Sequence, residues 1–191
     1  MNYLEIAGTA VGIIYLWLEY RASAWLWLAS IVMPAIYIGV YYEAGLYADL
    51  GISIYYILAS LYGVACWLWG KDGYANDLVI TRTPCRIYLP LAIIFSTIFI
   101  AVGYILDRFT DSTVPWADGF TTALSIVAMW MLARKYVEQW IVWIAADIAC
   151  AILYAYKGLW FTGSLYLVYA VIAVFGYSKW KRLMAINEFY N

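Results

Sequence analysis

Residues 138–157 read EQWIVWIAADIACAILYAYK, with a single ionisable side chain, Asp147, near the middle. A helix needs about 20 predominantly apolar residues to cross the hydrocarbon core of a bilayer, and this stretch has that length. Helical residues advance by roughly 100° each, which puts Trp140, Trp143, Asp147 and Tyr154 on one stripe. A carboxylate at mid-membrane depth costs on the order of several kcal/mol and faces a cavity or a partner. Two indoles beside it suit a pocket for a flat, cationic molecule. The alternative is an Asp paired inside a helix bundle, with the tryptophans as interface anchors.

Composition places the rest of the chain in the same setting. It is 67% hydrophobic and only 12% charged, which is membrane-protein usage. Aromatic residues reach 20%, with 11 Trp and 20 Tyr, enough for interfacial belts and a ring-lined cavity. The net charge is −1 without a polybasic run, so nucleic acid is not an expected partner. The sequence has no His, which removes the commonest metal ligand and the usual proton relay. Cys66, Cys85 and Cys150 form no CxxC and are read as neither disulfide framework nor metal site. No cofactor is expected, and no removable signal peptide is evident.

Apolar runs recur at roughly 3–19, 23–42, 48–69, 87–106, 119–133, 137–156 and 159–180. The predicted fold is therefore an all-α membrane protein of seven transmembrane helices. The longest polar pieces, 71–86 and 107–118, are too small to hold a soluble catalytic domain. Of the 11 Lys and Arg residues, only Arg108 and Lys157 fall on one side of the membrane, which leaves 11 − 2 = 9 on the other. The positive-inside rule then puts the N-terminus outside and the C-terminus in the cytoplasm.

The chain also repeats itself. A shift of 113 residues matches Trp17 with Trp130, Arg21 with Arg134, Trp27 with Trp140, Gly63 with Gly176, and Trp67 with Trp180. Four spans separate equivalent positions, so the halves share one orientation. The expected architecture is a parallel 3+1+3 repeat, a plan found in one class of transporters with a midplane substrate site. It divides the chain into a first three-helix bundle (1–70) and a loop plus connector helix (71–117, with span 4 at 87–106). A second bundle (118–182) and a cytoplasmic tail (183–191) follow.

The repeat shows where the halves differ. Asp147 aligns with Pro34 and Trp143 with Ser30, so the expected site is one-sided. Pro34 removes a backbone hydrogen bond and can kink its helix, which fits either a moving gate or a static, packed bend. On span 3, Asp49, Ser53, Tyr56, Ser60, Gly63 and Trp67 form one stripe; Thr162, Tyr166, Tyr169, Ala173, Gly176 and Trp180 form its counterpart on span 7. These stripes read either as walls of a substrate path, with Tyr56, Ser60, Tyr166 and Tyr169 lining it, or as helix contacts through small residues.

With these residues in place, the chain resembles the PnuC vitamin transporters. The resemblance rests on YYEAGLYADLG (41–51), EQWIVWIAADI (138–148) and YKGLWFTGSLYLVYAVIAVFGY (156–177), and extends over residues 3–182. It implies a SWEET-like fold, homotrimers and facilitated diffusion, with a cytoplasmic kinase that traps the substrate. It also implies that the tryptophan pair and a polar residue one turn on contact the substrate. Nicotinamide riboside is the first expectation and thiamine the second, with riboflavin carried by another branch. For the riboside branch an amide is expected near position 147, where this chain has a carboxylate. Truncation of Trp140 or Trp143 is expected to weaken binding without loss of the fold. A membrane enzyme fits poorly, because the spans offer no nucleophile–base pair or dense acid cluster. A receptor or scaffold without transport is the more distant alternative.

Overall fold

The computed structural model describes residues 3–43, 47–69 and 78–190. Seven helices follow in order: α1 Tyr3–Tyr20, α2 Trp25–Glu43, α3 Tyr47–Trp69, α4 Cys85–Phe109, α5 Pro115–Ala133, α6 Gln139–Tyr156 and α7 Trp160–Tyr190. Each predicted span is a helix. Among the described residues the one β feature is an isolated parallel bridge between Thr81 and Tyr136. Local chemistry sets several boundaries. Pro115 opens α5, where a missing N–H costs nothing. Gly158, at φ +76°, takes the left-handed turn between α6 and α7. Helix α7 continues through residues 183–190, beyond the predicted end of its span at 180.

Helices α4, α5 and α6, together with Trp160–Ile186 of α7, are long and apolar enough to cross a membrane. Helix α4 buries only Leu91 and Gly103, and its Leu89 and Ile93 are 70% and 58% exposed. An apolar face of that extent is a liability in water, whereas lipid tails solvate it at no cost. The protein is a multi-pass membrane protein.

The chain forms two compact units, Met1–Val79 and Ile80–Asn191. In the first, α2 packs against both α1 and α3; in the second, α4 packs on α5, α5 on α6, and α6 on α7. The 113-residue repeat reappears in their backbones. In the first unit, the turn from α1 to α2 has hydrogen bonds from Arg21 N to Trp17 O, Ala22 N to Glu19 O, Ser23 N to Leu18 O, Leu26 N to Ser23 O and Trp27 N to Ala24 O. In the second, the turn from α5 to α6 repeats all five, from Arg134, Lys135, Tyr136, Gln139 and Trp140 to the carbonyls of Trp130, Leu132, Met131, Tyr136 and Val137. Ala22 and Lys135 share a positive φ, 51° and 53°. A strained conformation kept at both positions shows that the turn itself is duplicated.

Candidate substrate site

The stripe read on span 6 is the buried face of α6, but its members play different parts. Trp140 has no exposed surface. Its ring meets that of Trp180 edge-on, with centroids 5.7 Å apart and planes at 86°. It also lies so close to Gly176 that a Cβ there would fall 2.6 Å from the indole. The first unit builds the same arrangement. Trp27, also fully buried, meets Trp67 at 5.7 Å and 87° and lies against Gly63. Trp140 is thus a packing residue held in common by both units. This corrects the expectation that its truncation leaves the fold intact, because a large, fully buried ring leaves a cavity when removed.

Trp143 and Asp147 have no such counterparts. Trp143 is half-buried, and its indole Nε1 is buried without a hydrogen-bond partner among the described residues. Asp147 is 7% exposed, and no hydrogen bond or ion pair reaches its carboxylate from those residues. The two side chains lie four positions apart, hence side by side on the helix. From α7, the Tyr169 phenol is within electrostatic reach of Asp147. Tyr166 stacks on Tyr154 at 5.3 Å and 17° and meets Tyr169 edge-on at 5.7 Å. Helices α6 and α7 therefore assemble Asp147, Tyr154, Tyr166 and Tyr169 into one aromatic, acidic wall. A partnerless carboxylate in such surroundings is a strong acceptor for a cation or an N–H donor.

The remaining predicted residues lie in the first unit. Ser60 is fully buried, and its hydroxyl donates to the Tyr56 carbonyl at 2.6 Å, so its hydrogen stays within its own helix. The Tyr56 ring lies 5.6 Å from that of Tyr55. Pro34 lies inside α2, which continues on both sides of it. The Ser30 hydroxyl folds back onto the Trp27 carbonyl at 2.9 Å, so a polar side chain bonded to its own backbone stands where the second unit has Trp143. The side chain of Asp49 lies outside the described residues.

Sequence reasoning missed Gln139. It is fully buried, and neither amide atom has a partner among the described residues. Its repeat counterpart, Leu26, is equally buried. The replacement of Leu by Gln next to the conserved-in-repeat pair Trp27 and Trp140 was the available clue. At the other end of α6, Lys157 Nζ pairs with Asp118 Oδ1 at 2.7 Å, while the Ser112 hydroxyl donates to Asp118 Oδ2 at 2.8 Å. Among the described residues no cluster of three or more His, Cys, Asp or Glu forms a metal-binding group.

Residues 2–182 match the model of the nicotinamide mononucleotide transporter family. The chain belongs to this family. It is a transporter, not an enzyme. Among its relatives is the riboflavin/roseoflavin transporter RibM of Streptomyces davaonensis, 27% identical over 92% of this chain and 83% of RibM. Another is the nicotinamide riboside transporter PnuC of Escherichia coli, 22% identical over 94% of this chain and 85% of PnuC. The crystal structure of the vitamin B3 transporter PnuC superposes with a TM-score of 0.68 at 22% identity, covering 93% of this chain and 80% of that one. The transporter thus shares its fold with PnuC.

Proposed function

We propose that the protein is a facilitator for uptake of a vitamin precursor with a flat, cationic ring, and that nicotinamide riboside is its substrate. The observation that carries this reading is Asp147, a buried carboxylate beside Trp143 that accepts no hydrogen bond and forms no ion pair among the described residues. A pyridinium ring supplies the missing positive charge and a face for the indole. Cation–π contact contributes roughly 0.5–2 kcal/mol, and pairing with Asp147 adds to it. Affinity stays modest, because a carrier must release what it binds. In this reading Trp143, Asp147, Tyr166 and Tyr169 contact the ligand, and Trp140 holds α6 in place behind Trp143. Thiamine, with its cationic thiazolium, is the alternative on the same chemistry. Riboflavin is a second reading favoured by the relationship to RibM; its neutral ring would use the aromatic wall but not the counter-charge.

The transport cycle in this reading is alternating access by two three-helix bundles of a parallel 3+1+3, SWEET-like repeat, with α4 as connector and Pro34 as a hinge. The duplicated turn and Trp–Gly–Trp packing support the repeat. The charge asymmetry of the loops supports an N-terminus outside and a C-terminus in the cytoplasm of a bacterial cell's inner membrane. A homotrimer, and trapping of the substrate by a cytoplasmic kinase without ATP or ion coupling at the carrier, complete the proposal.

Proteoliposome counterflow with nicotinamide riboside, thiamine and riboflavin side by side tests it. Exchange of labelled for unlabelled nicotinamide riboside is expected. Exchange of riboflavin alone would overturn the role given to Asp147, and no exchange of any of the three would overturn the carrier reading. A cysteine near Lys157 should react with an impermeant thiol reagent from outside, and one at Arg86 only from the cytoplasmic side.

A further inference from the structure

A cavity lies away from the Asp147 wall, within the second unit. Helices α4 and α6 both pack on α5 but not on each other, which leaves a groove of about 320 Å³ between them. Leu91 and Phe95 of α4, Val127 and Met131 of α5, and Val142 of α6 make it apolar along its length. All three helices are of membrane-spanning length and composition, so the groove runs where lipid tails run. One end is polar: Glu138 and Tyr88 line it there.

The polar end is held by the strap that leads into α4. Thr81 N donates to Lys135 O at 3.1 Å, and Val137 N to Thr81 O at 2.9 Å. The backbone N–H and the hydroxyl of Thr83 both donate to Glu138 Oε2 at 2.8 Å. The other carboxylate oxygen, Oε1, has no partner, and Glu138 no ion pair, among the described residues. Arg82 and Arg86, both exposed, flank the strap and the first turn of α4. An apolar channel thus ends at a carboxylate with one oxygen left free, and two cationic side chains stand close by in sequence. A zwitterionic headgroup lying along the membrane surface offers an ammonium to the carboxylate and a phosphate to the two cations.

We infer that the groove between α4 and α6 binds one phospholipid with a primary-ammonium headgroup, phosphatidylethanolamine in type. One acyl chain lies over Val127 and Met131, the ammonium donates to Glu138 Oε1, and the phosphate turns toward Arg82 and Arg86. A trimethylammonium headgroup has no N–H to donate, so phosphatidylcholine loses the charge-assisted hydrogen bond.

The test uses the full-length, delipidated protein, titrated separately with phosphatidylethanolamine and phosphatidylcholine of matched chains, with bound lipid counted by native mass spectrometry. One phosphatidylethanolamine per chain is expected, bound about fivefold tighter than phosphatidylcholine, the scale of a partly exposed ion pair. Glu138→Gln keeps the acceptor for Thr83 and is expected to bring the ratio to about one. Ala92→Trp fills the groove from an exposed position and is expected to abolish binding of either lipid there, with unchanged thermal stability. Equal affinities in the wild type, a preference that survives Glu138→Gln, or lipid retained by Ala92→Trp would overturn the inference. So would a cysteine at position 92 that cross-links two chains directly, since a second copy would then fill the groove.

Discussion

The two units share a packing device and part company at two positions of the helix that carries it. In both, the helix after the left-handed turn presents a buried Trp to a Gly and a second Trp: Trp27 to Gly63 and Trp67, Trp140 to Gly176 and Trp180. Three and seven residues further on, the first unit has Ser30 and Pro34 where the second has Trp143 and Asp147. What is duplicated has a structural reason that applies to each unit alone. What is not duplicated needs another reason, and a partnerless carboxylate with an adjoining indole points to a ligand. The comparison therefore separates two tryptophans that sequence reasoning had treated as one clamp.

The largest effects should come from the shared device. Trp27→Ala and Trp140→Ala are each expected to destabilise the protein by about 3–5 kcal/mol, the cost of a large buried aromatic, with loss of monodisperse material in detergent. Thermal unfolding of the two variants checks this. If Trp140→Ala kept wild-type stability and lost only binding, the packing role assigned to it would be wrong.

Asp147→Asn should behave in the opposite manner. It preserves shape and removes a charge that no described side chain compensates, so stability is expected to be unchanged or raised. Binding of a cationic ring should weaken by about 1–3 kcal/mol, because screening in a wet cavity is well above that of dry protein. Calorimetry with a charged riboside and its neutral, ring-reduced isostere, on wild type and variant, closes a thermodynamic cycle. A coupling energy near zero would mean that Asp147 does not read the ligand's charge.

Trp143→Ala is expected to cost about 1–2 kcal/mol of binding, roughly a 5–30-fold loss, with a smaller effect on stability than Trp140→Ala. Ser30→Ala, at the matching position, should change neither quantity. Equal responses at 30 and 143 would erase the asymmetry. Last, the Asp118–Lys157 pair has both side chains only 26% exposed. Lys157→Met should lower stability by at most about 1 kcal/mol, measurable as a small shift in Tm.

All seven helices were legible from apolar runs, because a bilayer demands a continuous stretch of some 20 residues and tolerates little else. The repeat was legible too, since Trp and Gly at one fixed offset are rarely interchangeable. The stripes on spans 3 and 7 also became buried faces, with Ser53, Ser60, Gly63 and Trp67 on one and Ala173, Gly176 and Trp180 on the other. Helical periodicity says which residues share a face, and it stops there. It could not say that Trp140 would be enclosed by Gly176 and Trp180 while Trp143 stayed half-exposed, nor that Gln139 would be fully buried. Those outcomes depend on how α6 meets α7, at distances set by side chains more than 30 residues away in the chain. The sequence by itself determined the membrane setting, the seven helices and the duplication, all of which follow from local composition and period. Only the tertiary structure decided which aromatic residues pack and which remain available, and where α4 and α6 stand apart, because burial is a property of neighbours that no single helix contains.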